Sequence, residues 1–358
     1  MAAFFGLWNL FFRKRFIMLR LHHDVGHKGV SLVTFGQFFK LVEIRTKTAS
    51  IIPFFMGTLY AFFRFQEFHG FHFLLMLISL LSFDMATTAI NNYYDYKRAV
   101  KTDGYGYEVH NAIVQYKLKE STVVTVIITL LFVAAVAGFW IFIETDILIF
   151  LLGGLSFLVG ILYSFGPLAI SRMPLGELFS GLFMGFVILF ISSYIHLEQG
   201  QIVLLMLEDK WLTVHVDIRE VLLMLLVSIP AIAGIGNIML ANNICDMEED
   251  VENKRYTLPV YIGKTLALKL FRLVYYVSYL DLIVLYLLGV HPVLLVLVLI
   301  TFIPLRKNIT LFVRNQSKAE TFGLAVQNFI ILNMARIVVL GAAILLHFTG
   351  FWELNRYI

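Results

Sequence analysis

Long apolar runs alternate with short polar breaks along most of the chain. Runs approaching or exceeding about 18 apolar residues can each cross the hydrocarbon core of a bilayer, about 30 Å thick. The pattern predicts nine spanning helices, at roughly 47–63, 71–94, 121–143, 147–166, 175–197, 221–244, 264–289, 291–305 and 322–348. The eighth is short, and "GVHP" at Gly289 to Pro292 leaves room only for a tight hairpin before it. Short alternating segments of the kind that build membrane barrels do not dominate. The stretch "HLEQGQIVLLMLEDKWLTVHVDIRE" reads as a polar loop dividing the chain into two halves.

Composition agrees with this pattern. Of 358 residues, 59% are hydrophobic and 15% charged, and the mean hydropathy is +0.83. A soluble domain of this length is far more polar. The single cysteine, Cys245, excludes an internal disulfide and reads as a packing residue.

Charge sets the expected orientation. With the start of the first span on the cytoplasmic side, the opposite side keeps only Arg64, Lys210, Arg219 and Arg356 of the 28 Lys and Arg, while Arg336 falls inside the last span. The positive-inside rule then places the N-terminus in the cytoplasm. The apolar stretch "AAFFGLWNLFF" precedes the basic cluster "RKR", the reverse of secretory-signal order. Residues 1–42 read as a basic, aromatic segment at the membrane surface, with a flexible tail as the alternative. Residues 43–358 form the membrane domain.

Two polar stretches stand out at span ends. "NNYYDYKRAVKTD" runs from Asn91 to Asp103 and "NNICDMEED" from Asn242 to Asp250, so N-N-x-x-D occurs twice, both times on the expected cytoplasmic face. Residues four apart share a helical face, which aligns Asn242, Asp246 and Asp250 in one stripe and Asn91 with Asp95 in another. Ala99 interrupts the first stripe, and Asp103 is the candidate to complete it. Clustered carboxylates near hydrocarbon are costly unless compensated. A hard divalent cation compensates them, and Mg²⁺ takes such oxygen ligands while sharing substrate phosphates. Two facing acidic sites could hold two Mg²⁺ ions around a diphosphate, with Lys97, Arg98, Lys254 and Arg255 on the remaining phosphate oxygens. For one such stretch, a solvated cap of paired charges is the ordinary alternative. Two copies on one face favour the site reading, and interhelical hydrogen bonding by Asn91 and Asn242 stays open.

"NNYYDYKR" and "NNICDMEEDVENKRYTLPVYIGK" resemble the two aspartate-rich motifs of the UbiA superfamily of intramembrane aromatic prenyltransferases. "EIRTKTASIIPFFMGT" and "YSFGPLAISRMPLGELFSGLFMG" are further matching pieces. Within the superfamily, the chain is most similar to the menaquinone branch, which prenylates 1,4-dihydroxy-2-naphthoate. The resemblance implies an all-α membrane protein of about nine helices around a central cavity, Mg²⁺ as cofactor, a polyprenyl diphosphate donor and an aromatic acceptor. It carries metal-site roles onto Asn91, Asp95, Asp246 and Asp250, with Asp103 less directly matched. Asp95, Asp246 and Asp250 are accordingly the expected catalytic acids. Lys101 stands where that branch usually has an acid, and "GYGYEVHNAIVQYKLKES" departs from the usual loop. A bacterial plasma membrane, with the active site toward the cytoplasm, follows from the same resemblance.

Other candidates are weaker. Lys47 reads as a diphosphate ligand or a positive-inside anchor. Arg172 lies in the loop between the fourth and fifth spans, and Tyr163 and Ser164 could contact donor or acceptor. Glu177 falls just inside the fifth span, where it could orient the acceptor or pair with a cation. Arg336 is expected to face the bundle interior and a partner. The 34 Phe suit an isoprenoid tail, though lipid-facing packing explains most of them. His22, His23 and His27 read as a solvated interfacial patch. No nucleic-acid-binding module is present in the sequence. Within the enzyme reading, the acceptor could instead be another aromatic acid or haem; against that reading stand a secondary transporter and an inactive membrane scaffold. A transporter expects its polar groups near the midplane, whereas these acids cluster at one face.

Overall fold

The structure, a computed structural model, describes residues 34–98, 111–164 and 169–351. The chain divides into two compact units, Met1–Thr34 and Phe35–Ile358, and everything below concerns the second. Most of the 1–42 segment, the histidines His22, His23 and His27, and the candidate ligand Asp103 lie outside the described residues.

A short helix, α1 (Phe35–Leu41), leads through a 3-10 turn (Ile44–Lys47) into α2 (Thr48–Phe65) and α3 (Gly70–Arg98). Next come α4 (Ala112–Gln115), α5 (Glu120–Glu144) and α6 (Ile147–Ser164). After a 3-10 turn at Ile170–Arg172, α7 (Gly176–Tyr194) follows. Strands β1 (Val203–Glu208) and β2 (Trp211–Val216) precede α8 (Ile218–Cys245), α9 (Met247–Glu252) and α10 (Leu258–Ile262). The chain closes with α11 (Lys264–Leu287), α12 (Pro292–Arg314) and α13 (Gly323–Phe348).

Among the described residues, eight helical segments are long and apolar enough to cross a membrane, and the apolar part of α6, Ile147–Tyr163, is shorter. This is an all-α membrane fold with one small hairpin. Three local features differ from the sequence expectation. The eighth segment continues to Arg314, because the chain beyond residue 305 stays helical although it turns polar at Arg306, Lys307 and Asn308. A 3-10 turn at Ser278–Leu280 interrupts the seventh. The loop between the halves is an antiparallel hairpin, with Val203 opposite Val216 and Glu208 opposite Trp211. Asp209 takes φ 53 in its two-residue turn, as such turns require.

The expected break before the eighth segment is present. Gly289 takes φ 90, a conformation glycine adopts without Cβ strain. Pro292 then opens α12, where the missing N–H costs nothing.

Interhelical packing relies on small residues, as membrane bundles do. A Cβ on Gly57 of α2 would overlap the Leu189 carbonyl oxygen of α7. Ser193 of α7 donates to the Gly57 carbonyl at 2.8 Å across the same contact. A Cβ on Gly185 of α7 would come 2.6 Å from the Ile232 nitrogen of α8. On the other side of the bundle, Ser79 of α3 donates to the Ala134 carbonyl of α5 at 2.9 Å. Arg336 of α13 is sealed in the interior at 1% exposure. It meets Asp281 of α11 and also donates to the Ser278 carbonyl at 3.1 Å. The guanidinium thus serves a carbonyl beside the 3-10 interruption, so the partner expected for Arg336 is Asp281.

Candidate active site

Each double asparagine divides its labour. Asn92 is buried and donates to the Leu41 carbonyl at 2.8 Å and to Glu43 Oε1 at 3.3 Å. Asn111 donates to the Asn92 carbonyl at 2.8 Å. These bonds fix the end of α3 against the chain leading into α2. Asn91 is half-buried and the Asp95 side chain is exposed.

The second stretch repeats the arrangement. Asn243 is buried and donates to Glu177 Oε1 at 2.8 Å, while Asn242 donates to Asp246 Oδ2 at 3.2 Å. The expected helical stripe is bent here. α8 ends at Cys245 and α9 begins at Met247, so Asp246 serves as the junction, with φ −98 and ψ 7. The i, i+4 relation survives the bend, because Asp246 N donates to Asn242 O at 3.0 Å and Asp250 N to Asp246 O at 2.7 Å.

Asp250 is buried at 2% exposure. Its Oδ1 lies 3.4 Å from Arg255 Nε, and its Oδ2 accepts from Thr257 at 3.1 Å. Asp246 Oδ2 pairs with the Lys318 ammonium.

The two stretches face one another. Asp95 lies in electrostatic reach of Arg255, Arg172, Glu43 and Lys318, which come from four separate segments. Tyr256 N donates to the Arg172 carbonyl at 3.1 Å, which ties the α6–α7 connection to the segment after α9.

Not every candidate joins this group. Lys47 is 1% exposed, and its ammonium donates to Asp84 Oδ1 and Thr88 Oγ1, each at 2.6 Å. Lys97 pairs with Glu120 at 2.6 Å on an exposed face between α3 and α5. Lys254 is exposed at φ 56, and the side chains of Arg98 and Ser164 lie outside the described residues. Tyr163 has a buried hydroxyl that feels the charges of Glu177 and Arg255. Glu177 pairs with an amide, Asn243, where a cation was one expectation. Sequence reasoning missed Lys318, Glu43 and the buried partners Asn92 and Asn243. For Lys318 the only available signal was its place in a basic loop on the same face as the acidic stretches.

Burial pushes the Asp250 carboxyl above its usual range; Arg255 and Thr257 oppose the shift, and Asp246 adds to it. Glu249 is raised by burial and then by Asp246. Five carboxylates, those of Glu43, Asp95, Asp246, Glu249 and Asp250, thus gather with three cations, Arg172, Arg255 and Lys318. Among the described residues, no three acidic, His or Cys side chains group as a metal site, and Asp246 and Asp250 each engage a cation. The donors themselves are carboxylate and amide oxygens, a set suited to a hard divalent ion, and the surplus of negative charge fits one.

Residues 50–334 match the UbiA prenyltransferase family. The chain belongs to that family. It is also 32% identical over 242 residues to the 1,4-dihydroxy-2-naphthoate octaprenyltransferase of Bacillus subtilis (strain 168), a match covering 67% of this chain and 70% of that one. As a UbiA-family member it is an enzyme, a membrane-embedded polyprenyltransferase.

Solved UbiA homologues share the fold. One from Archaeoglobus fulgidus, bound to GPP and Mg²⁺, matches with a TM-score of 0.58 at 16% identity, covering 86% of this chain and 99% of that one. The apo structure of one from Aeropyrum pernix K1 gives a TM-score of 0.57 at 16% identity, covering 89% and 100%. The UbiA fold expected from the two acidic motifs is thus the fold observed.

Proposed function

We propose that this chain transfers a polyprenyl group from polyprenyl diphosphate to an aromatic acceptor, with Mg²⁺ as cofactor and 1,4-dihydroxy-2-naphthoate as the acceptor. Prenylation with release of CO₂ and diphosphate gives the quinol form of demethylmenaquinone. The observation that carries the proposal is the convergence of Asp95 with Asp246, Asp250, Arg172, Arg255 and Lys318 from separate helices. Support for the acceptor comes from the Bacillus subtilis relative, named for this substrate. Support for Mg²⁺ and a prenyl diphosphate comes from the Archaeoglobus fulgidus homologue, solved with both GPP and Mg²⁺.

The residues divide the chemistry. Asn91, Asp95, Asn242, Asp246 and Asp250 would hold the metal, with Asp103 as a further candidate ligand. When bound, Mg²⁺ supplies positive charge against the departing diphosphate. Arg172, Arg255 and Lys318 add fixed cations where that charge develops, and an arginine can grip two phosphate oxygens at once. The allylic C–O bond then breaks with its electron pair leaving on diphosphate. The electron-rich ring attacks the resulting carbocation, and apolar helix walls keep out the water that would otherwise capture it. The Lys and Arg bias places this end of the bundle toward the cytoplasm, and a bacterial plasma membrane is the proposed setting. The similar bonding of Asn92 to Glu43 and of Asn243 to Glu177 supports two related halves within residues 43–358.

The test is turnover by purified protein in detergent with Mg²⁺, polyprenyl diphosphates of several lengths and a panel of aromatic acceptors including haem. The expected result is prenylated product from 1,4-dihydroxy-2-naphthoate, lost on chelation and restored by Mg²⁺. Product from another acceptor alone would reassign the acceptor, and no product from any acceptor with folded protein would remove the enzyme reading.

A further inference from the structure

Beside the converging charges lies a second group of polar atoms, of which the diphosphate chemistry uses only Arg255. Glu177, at the start of α7, is 8% exposed, and Asn243, near the end of α8, is 1% exposed. Asn243 Nδ2 donates to Glu177 Oε1 at 2.8 Å, so each side chain holds the other in place. The other oxygen of each group, Glu177 Oε2 and Asn243 Oδ1, is buried without a hydrogen-bond partner. The Tyr163 hydroxyl is buried beside Ser180, and Arg255 Nε is buried 3.4 Å from Asp250 Oδ1. Tyr163 feels the charges of both Glu177 and Arg255. A Cβ on Gly176, the residue before Glu177, would stand 3.6 Å from the Tyr163 oxygen. Two oxygens lacking partners, with a hydroxyl and a guanidinium close by, therefore belong to one neighbourhood built from four segments.

Buried polar atoms are normally satisfied, and leaving one bare is costly. Such a group marks a place where something else supplies the partners. The type of atom indicates what that is. A carboxylate oxygen and an amide carbonyl oxygen only accept hydrogen bonds. They repel a phosphate and require a donor. Arg255 only donates, and Asp250 already faces its Nε. The Tyr163 hydroxyl can do either.

The geometry points to a subsite for the hydroxylated ring of the aromatic acceptor, with Glu177 Oε2 and Asn243 Oδ1 accepting from a ring hydroxyl and Arg255 facing the anionic substituent. The inference rests on the prenyltransferase reading given above and deepens it by placing the acceptor. Diphosphate belongs with Arg172 and Lys318 near Asp95, while the ring belongs on the Glu177 side. Arg255, near both Asp95 and Tyr163, lies between the two. Hydroxyl-bearing aromatics enter on the strength of their O–H group, and their O-methyl ethers, which cannot donate, are refused.

Glu177→Gln is the sharpest probe. The Gln carbonyl can keep the bond from Asn243 while the amide NH₂ takes the place of Oε2, turning one acceptor into a donor with almost no change in size. Binding of 1,4-dihydroxy-2-naphthoate and its mono-O-methyl ethers to detergent-solubilised protein is measured by calorimetry, alongside the KM for the polyprenyl diphosphate. The wild type is expected to bind the free hydroxyl compound about tenfold or more tightly than the ether blocked at the facing hydroxyl, and Glu177→Gln to lose or reverse that preference. The donor KM stays within about twofold. Tyr163→Phe, which removes one oxygen, is expected to weaken the acceptor severalfold with the donor KM unchanged, and it serves if Glu177→Gln fails to fold.

Unchanged acceptor binding and preference in a folded Glu177→Gln protein would mean that solvent alone satisfies these oxygens, and would overturn the subsite. An equal loss for donor and acceptor would overturn it too, by marking a structural role. The binding arm separates this failure from failure of the enzyme reading. Wild-type protein that turns over no acceptor refutes the function, whereas the hydroxyl preference and its loss in Glu177→Gln report on the subsite independently.

Discussion

Arg336 holds Asp281 through two hydrogen bonds, Nε to Oδ2 at 2.6 Å and Nη2 to Oδ1 at 2.7 Å, with both side chains sealed from solvent. Removing one member of such a pair strands the other charge inside the bundle, at about 3–5 kcal/mol. Asp281→Asn and Arg336→Met are each expected to lower thermal stability sharply. The double variant Asp281→Leu with Arg336→Met is expected to recover much of the loss. Melting of the purified proteins in one detergent measures this, and singles as stable as wild type would contradict it.

Asp95 and Asp246 belong to opposite stretches yet share Lys318, so their removal should affect chemistry more than folding. Asp95→Asn and Asp246→Asn are each expected to cut turnover by about a hundredfold or more while leaving the melting temperature within a few degrees. Rates with saturating donor and Mg²⁺ test this. Near-wild-type rates in both would remove the two-sided site.

Lys47 is fully engaged by Asp84 and Thr88, and Ser50 donates to the other Asp84 oxygen at 2.6 Å. Lys47→Met should therefore destabilise the protein by about 3–5 kcal/mol, because Asp84 would be left charged and buried. Asp84→Leu in the same chain should restore much of that stability. The donor KM of the restored protein then reads directly whether the Lys47 ammonium also serves diphosphate, and the structure leads us to expect a change below about threefold.

His196 is fully buried just beyond α7. Its Nδ1 accepts from the His69 backbone N–H at 3.1 Å, and its Nε2 lies 3.3 Å from Thr58 Oγ1. Burial, and then the neighbouring His69 and His72, hold its pKa down at about 4. The folded state binds this proton more weakly than the unfolded state, so the stabilisation is full above about pH 6.5 and drains as pH falls through about 4, about 3 kcal/mol in all. Melting temperature should fall across that window in the wild type. His196→Gln should flatten the fall, and an identical pH profile in that variant would contradict the assignment.

The spans were legible because length and apolarity alone decide what can cross a bilayer. The repeated N-N-x-x-D was legible because a coincidence of that kind on one face needs a common cause. What escaped the sequence depends on tertiary contacts. Nothing local distinguishes Asn92 from Asn91, yet Asn92 binds the chain before α2 while its neighbour stays half-buried. Lys318 is one basic loop residue among many until the fold brings it to Asp246. The bend at Asp246 carries no Pro or Gly to announce it. The hairpin strand β2 is exposed along its whole length, so its alternation marked no buried face and read as loop.

The contact at Gly57 has a mechanical consequence. α2 follows Glu43, and α7 carries Glu177. These two acids tether the asparagines beside the two acidic stretches. Because α2 and α7 meet with backbone almost touching backbone, the axes that set the spacing between the stretches have no slack to hinge. That close contact braces the spacing between the two stretches as a rigid strut would.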